Sequence, residues 1–436
     1  MIRTFEALEM DRAKKADGVT GPLSGVRVIE LAHIMAGPVC GLMLSDMGAD
    51  VIKVERLPRG DGTRGFLPPE VEGESAAFMM LNRGKRSVAL DLRSKEGVEI
   101  VRRLLSEADV VIENFRVGTM EKIGLGWSGL SELNPKLVYC QITGFGRTGP
   151  MSQKGGFDLI AQGYSGLMSV TGEGDGREPV KVGTPVTDVT AGILAAFGVV
   201  SALFERERSG EGQLVDTSLF EAGITQTYWQ SAIALASGLS PGPLGSAHPL
   251  AAPYQAFRTA DGWINVGASN DPTWHGLTRA LGMQGLATDP RFKDNASRMK
   301  HLDQLTEVLG LILATEMTET WLDRLAHEGV PAGPIASIGE MLENPQTIAR
   351  AMVVETEHPK AGRVRSLGNA VKMWGRGAAS IGESDAPTIP EARSGPAPML
   401  GEHTCAVLLD AGWTERDLER LHNAGVLVSS DPKMVL

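Results

Sequence analysis

Apolar and polar positions follow two rhythms along this chain, and the change of rhythm divides it. Up to residue 143, short β-branched runs alternate with stretches of helical spacing. Residues 26–31 (VRVIEL) read as a buried strand. Gly37-Pro38 then starts a helix that runs to about Met47, proline being suited to a first helical turn. Residues 50–55 (DVIKVE) are a second strand and 87–90 a third. Ser94 can cap a helix through Ala108, with Val98, Val101, Leu104 and Leu105 on one face. Residues 109–115 and 137–143 add two more strands. Strands alternating with helices imply βαβ units, and therefore an α/β fold with an open, Rossmann-like parallel sheet.

Two long helical stretches are expected next, 189–206 and 216–236, followed by a Gly-, Pro- and Ser-rich loop at 239–249. The rhythm then changes. Residues 254–259 and 263–268 flank Ala260-Asp261-Gly262, a hairpin signal. Helices at 272–281, 301–315 and 318–328 complete a smaller α+β domain. A second hairpin is expected at 353–367, an extended proline-rich surface segment at 383–398, and helix again over 401–426. The expected organisation is a large domain formed by 21–225 with 350–436, a small domain of 226–349, and an N-terminal arm of 1–20.

Composition narrows the function. A chain of 436 residues exceeds one ordinary core, so two domains are expected. A net charge of −11 argues against nucleic acid as a partner. Cys40, Cys140 and Cys405 are far apart, so neither a disulfide framework nor a zinc site is expected, and a reducing cytoplasm fits. The most apolar stretch, 189–204, is too short for a comfortable membrane span. The first 20 residues mix acids with bases, unlike a targeting segment.

The turn after the first strand reads His33-Ile34-Met35-Ala36-Gly37-Pro38. It lacks the G-x-G-x-x-G dinucleotide fingerprint, although a helix N-terminus there could still face a phosphate. Arg56, Arg93, Arg116 and Lys122 fall near strand ends, where a parallel sheet opens its ligand crevice. Converging cations there would suit a polyanion such as coenzyme A, with Phe115 available to stack on adenine. The alternative for each is a solvated surface charge. Asp188 immediately precedes a long apolar helix. It can serve as an N-cap, and the same position favours an ionised carboxylate able to attack a thioester.

These pieces together resemble the class III CoA-transferases, the family of formyl-CoA transferase and carnitine CoA-transferase. The likeness is carried by PLSGVRVIELAHIMAGP, DMGADVIKVERLPRGDGTR, LNRGKRSVALDLRSKEG, ADVVIENFRVGTMEKIGLGW, ITGFGRTGP, GGFDLIAQGYSGLMSVTG, VGTPVTDVTAGILAAFGVVSALFER and LGEHTCAVL. It implies that Asp188 is the catalytic aspartate. It implies CoA contacts at Met35, Ala36, Arg56, Leu90, Arg93, Asn114, Phe115, Arg116, Lys122, Phe157 and Asp158. It further implies an interlaced homodimer, acyl-CoA and a carboxylic acid as substrates, no tightly bound cofactor and no metal. The implied route runs through an aspartyl acyl anhydride and an aspartyl-CoA thioester.

The racemases of the same fold pair this aspartate with a histidine in the G-x-D segment. Here that place holds Phe157, which cannot move a proton. A racemase and a non-catalytic CoA-binding protein are the competing readings. The glycine-rich lid loop of formyl-CoA transferase is not matched by a G-G-G-G run in this sequence. The segment GSAHPLAAPYQAFRTADGWINVGASN resembles the branch that passes CoA from succinyl-CoA to small dicarboxylates, with His248 and Arg64 as candidates for the distal carboxylate.

Overall fold

The computed structural model describes residues 21–374 and 395–430. The N-terminal arm and most of the proline-rich segment expected at 383–398 lie outside the described residues. Within them the chain forms two compact units. The first comprises residues up to Ala161, Thr184–Gly223 and Pro345 onward; the second comprises Gln162–Gly183 and Ile224–Asn344.

The first unit is built on a seven-stranded sheet. In chain order its elements are β1 (Arg27–Glu30), α1 (Ala36–Asp46), β2 (Asp50–Arg56), β3 (Arg86–Leu90), α2 (Lys95–Ser106), β4 (Val110–Glu113), β5 (Val138–Thr143), α3 (Val186–Ser209), β6 (Leu214–Ser218) and β7 (Leu427–Val428). Across the sheet the order is β7-β3-β2-β1-β4-β5-β6. All pairings are parallel except β7 against β3, which is antiparallel. Strand order therefore reverses between β1 and β4, the position at which open α/β sheets leave a crevice for ligands.

Successive strand residues feed opposite faces, as the two-residue repeat requires. Val28, Val51, Val110, Ile112 and Val138 pack beneath α1 and α3. Ile29, Ile52, Val54, Val111 and Tyr139 pack beneath α2 and the helices Thr404–Asp410 and Glu415–Asn423. Both faces are buried, which explains why these strands read as continuous apolar runs. Ser94 caps α2 by accepting the Gly97 N–H at 2.9 Å.

Helix α3 is the one described helix long and apolar enough to cross a membrane. Here its small-residue face, Ala191, Ala195, Ala196, Val199 and Ala202, is core. A side chain at Gly192 would place its Cβ 2.7 Å from the Ala36 carbonyl oxygen and 2.7 Å from Val39, so glycine sets how closely α3 approaches α1.

Two expectations are corrected. Residues 214–218 form edge strand β6 rather than the start of a long helix, and helices Leu219–Thr225 and Tyr228–Ser237 follow it. Residues 401–426 hold two short helices, with β7 directly beyond them.

The second unit carries a three-stranded antiparallel sheet of Ala332–Pro334, Trp263–Gly267 and Tyr254–Arg258. Its core joins Phe257, Ile264 and Val266 to Trp274, Leu277, Leu305, Leu309 and Trp321 from helices Asp271–Ala280, Leu302–Leu313 and Thr318–His327.

Candidate active site

The loops that leave β1, β2 and β4 meet at the point where strand order reverses. Asn114, just past β4, clamps the β1–α1 loop from the side. Its Oδ1 accepts the His33 N–H at 3.0 Å, and its Nδ2 donates to the His33 carbonyl at 2.8 Å. The rings of His33 and Phe115 stand 5.5 Å apart, tilted by 50°. Buried Glu113 fixes the next residue by accepting the Phe115 N–H at 2.8 Å. Burial pushes the Glu113 carboxyl up to about 8, against the opposing pull of that hydrogen bond.

Below the loop sits a buried network of charges. Lys53 Nζ lies 2.8 Å from Glu30 and 2.8 Å from Asp61, and Lys85 lies 2.8 Å from the other Glu30 oxygen. Burial works against the charged form of Lys53, but Glu30 and Asp61 overcome it and raise its pKa. Burial likewise opposes ionised Asp61, but Lys53 and the hydrogen bonds from Thr63 hold its carboxyl far below the usual range. For Lys85 burial wins over Glu30, and its pKa falls to about 8. Buried charges persist when paired and hydrogen-bonded in this way.

Two cavities open along the strand ends. One, of ≈ 330 Å³, is walled by the β1–α1 loop, the segments after β4 and β5, residues 154–157 and Asp188. The other, of ≈ 630 Å³, is walled by the segments after β2 and β3 and carries Arg56, Arg59 and Arg93. His33, Ile34, Phe115 and Thr119 line both, so the two adjoin along one shared wall.

Asp188 is half-buried in the first cavity. Its side chain has no hydrogen-bond or ion-pair partner among the described residues. It is not the N-cap: Pro185 takes that position and Asp188 lies within the first turn of α3. Asp158 does the capping instead. Its Oδ1 accepts from the Thr187 N–H at 2.9 Å and the Thr187 hydroxyl at 2.8 Å. Burial, and then the negative charge of Asp158, raise the Asp188 carboxyl to about 7. The helix N-terminus was expected to keep this group ionised; desolvation outweighs it.

The remaining expected residues separate by position. Met35, Ala36, Asn114, Phe115, Arg116 and Phe157 line the first cavity, and Phe157 is 75% exposed. Arg56, Arg93 and Phe115 line the second. Leu90 is fully buried among core side chains, and its carbonyl accepts the Leu57 N–H at 3.0 Å. Lys122 ends the short helix Thr119–Lys122 and lines neither cavity. Arg64 is held elsewhere: its guanidinium grips Glu55 at 2.7 Å through both Nε and Nη2, donates to the Pro398 carbonyl and lies over the Phe78 ring. His248 lines neither cavity and belongs to the second unit. Its ring stands between those of Trp229 and Tyr254, and its Nδ1 accepts the Leu250 N–H. Sequence reasoning missed Arg59, Lys154 and Asp61, although the turn RGDG after β2 was a visible signal for two of them.

Comparison with known proteins identifies the family. The model of CoA-transferase family III matches residues 23–404, and the chain belongs to that family. It is 42% identical over 401 residues to the succinate–glutarate CoA-transferase of Agrobacterium fabrum, covering 91% of this chain and 97% of that one. It is 35% identical to the succinyl-CoA:glutarate CoA-transferase of Mus musculus, covering 94% and 92%. Among solved structures, a CaiB/BaiF family protein from Brucella suis superposes with a TM-score of 0.77 at 41% identity, covering 90% of this chain and 99% of that one.

Proposed function

We propose that this enzyme moves CoA from succinyl-CoA to a small dicarboxylic acid such as glutarate, with Asp188 as the nucleophile. The observation that carries the reading is a carboxylate with no hydrogen-bond or ion-pair partner among the described residues, set in a cavity at the reversal of strand order. The names of the similar proteins support the substrate pair.

In the proposed reaction the Asp188 carboxylate attacks the thioester carbonyl of the donor. An aspartyl succinyl anhydride forms and CoA leaves as its thiolate. The thiolate attacks the aspartyl carbonyl, giving an aspartyl-CoA thioester and free succinate. The acceptor carboxylate then attacks that carbonyl, releasing the thiolate and forming a second anhydride. Attack of the thiolate on the acceptor's acyl carbon yields the product thioester and regenerates Asp188. A carboxyl near 7 is a stronger nucleophile when ionised than an ordinary carboxylate, yet half of it is ionised at neutral pH. Ala36 opens α1, so its N–H has no preceding helical turn to bond, and Ala36 lines the same cavity; this amide is available to meet developing oxyanion charge.

CoA would lie along both cavities, its thioester at Asp188 and its phosphates at Arg56, Arg59 and Arg93. CoA enters as substrate, not as a resident cofactor. The three described cysteines are free and buried, which fits a reducing cytoplasm. We further propose an interlaced homodimer. Ile193, Phe197, Val200 and Phe204 recur at helical spacing along α3 and are exposed, Phe197 by 73% and Phe204 by 66%. A second copy would cover that stripe.

The test is a matrix of donor thioesters against dicarboxylic acids, read by mass spectrometry of the CoA products, for the wild type and Asp188→Asn. Exchange between succinyl-CoA and glutarate is expected only with Asp188 present. Exchange of a substrate α-hydrogen with solvent deuterium in the absence of any acceptor would instead favour an isomerase.

A further inference from the structure

The β1–α1 loop contains a backbone conformation that its own sequence opposes. Ile34 has φ +71°, in the left-handed region that a β-branched residue rarely enters. Such a conformation persists only when its surroundings impose it. The group that imposes it is identifiable. The Ile34 N–H points to the Asp61 carboxylate, 3.1 Å from Oδ1 and 3.3 Å from Oδ2.

Asp61 is itself tightly held and 4% exposed. Its Oδ1 accepts from the Thr63 N–H at 2.9 Å and the Thr63 hydroxyl at 2.8 Å, and its Oδ2 lies 2.8 Å from Lys53 Nζ. Its own N–H donates to Glu55 at 2.9 Å. Lys53 in turn is fixed by Glu30 and by the Ala32 carbonyl, at 2.8 and 2.9 Å, both part of the chain leading into the same loop. Gly60 admits this turn, because a Cβ there would fall 2.5 Å from Glu55 Oε2. A buried, fully ionised carboxylate thus reaches from the β2 side of the groove to the strained residue of the β1 side. Ile34 is followed by Met35 and Ala36, which wall the Asp188 cavity.

We infer that Asp61 is a positioning residue for the transfer reaction: it locks Ile34 in the left-handed conformation and so fixes the loop that faces Asp188. The inference rests on the function proposed above. Asp61 does not touch the reacting atoms; it acts through the loop.

The experiment measures succinyl-CoA to glutarate transfer by the full-length chain. Asp61→Ala is expected to lower kcat about 100-fold, the scale of a displacement near ~1 Å in a reacting geometry, with KM for succinyl-CoA within about threefold. Asp61→Asn retains an oxygen that can accept the Ile34 N–H and is expected to recover at least about tenfold of that loss. Ile34→Gly in the Asp61→Ala background is expected to recover part of it too, since glycine enters the left-handed region without being forced. Should Asp61→Ala fail to fold, Ile34→Pro carries the test. It forbids the left-handed conformation while leaving the Lys53–Asp61 pair intact, and it is expected to show the same fall in kcat. A folded Asp61→Ala or Ile34→Pro enzyme with kcat within about threefold of wild type would overturn the inference. So would a loss confined to KM, or a loss that is relieved neither by Asp61→Asn nor by Ile34→Gly. Absence of transfer in the wild type would count against the assigned reaction instead.

Discussion

Asp188 shows how a single residue's state is decided by competition. A helix N-terminus stabilises a carboxylate by about 0.3–1 kcal/mol at an exposed site. Burial in the cavity and the neighbouring Asp158 act in the other direction and prevail, leaving the group near 7. In the proposed reaction the attacking form is the carboxylate, so kcat/KM for the acyl-CoA donor should fall as pH drops through 7, approaching about tenfold per unit below it. A profile that stays flat down to about pH 5 would contradict this. The same shift has a stability consequence of definite sign. The folded state holds the Asp188 proton more tightly than the unfolded chain, whose aspartates titrate near ~3.9. Stability is therefore present at low pH and lost as pH rises from about 4 through 7. Asp188→Asn should be more stable than wild type at about pH 8, by on the order of 1–2 kcal/mol after allowing for solvent screening, and equal to it at about pH 4. Chemical denaturation at the two pH values measures it. The sequence located this aspartate but could not reveal its ionisation, because a cavity wall assembled from separate chain segments leaves no local pattern. Arg64 illustrates the same limit: its grip on Glu55 and Pro398 depends on partners 9 and 334 positions away.

Among the elements, regularity decided legibility. The buried strands β1, β2, β4 and β5 carry runs of valine and isoleucine, and α2 carries a clear apolar stripe, so all were readable. Edge strand β6 was not. Its sequence LVDTS is half-exposed and runs straight into a helix, and the apolar content beyond it masked the boundary. Strand β7 has two residues and exists only through its pairing with β3. The start of α3 was placed too late because Pro185, not Asp188, opens it. The contact of α1 with α3 gives a prediction at this scale. Gly192→Val puts atoms into the Ala36 carbonyl, which cannot rotate away. It should destabilise the fold by about 3 kcal/mol and reduce transfer, because the start of α1 walls the Asp188 cavity. A thermal midpoint within about a degree of wild type would refute the packing argument.

For the whole molecule, the exposed apolar stripe on α3 is a departure from a self-sufficient monomer. Each buried phenylalanine contributes roughly 1.5–3 kcal/mol. Phe197→Asp combined with Phe204→Asp should convert a dimer to monomer, read by sedimentation velocity. A wild type that sediments as a monomer would rule out the proposed dimer. The doubly wound order and the position of its reversal explain why loops from β1, β2 and β4 converge; alternating strands and helices predicted the open parallel sheet but not the strand order. Residues 162–183 belong to the second unit although the chain on either side of them belongs to the first; their glycine-rich run marks a loop but not which unit it joins.

Acylation of the Asp188 carboxylate during turnover is the step on which the proposed chemistry depends. Incubating the enzyme with succinyl-CoA, quenching with hydroxylamine and mapping peptides by mass spectrometry tests it directly. A hydroxamate on Asp188 is expected, formed only when the donor thioester is present. An unmodified Asp188 peptide from an enzyme that is turning over would contradict it.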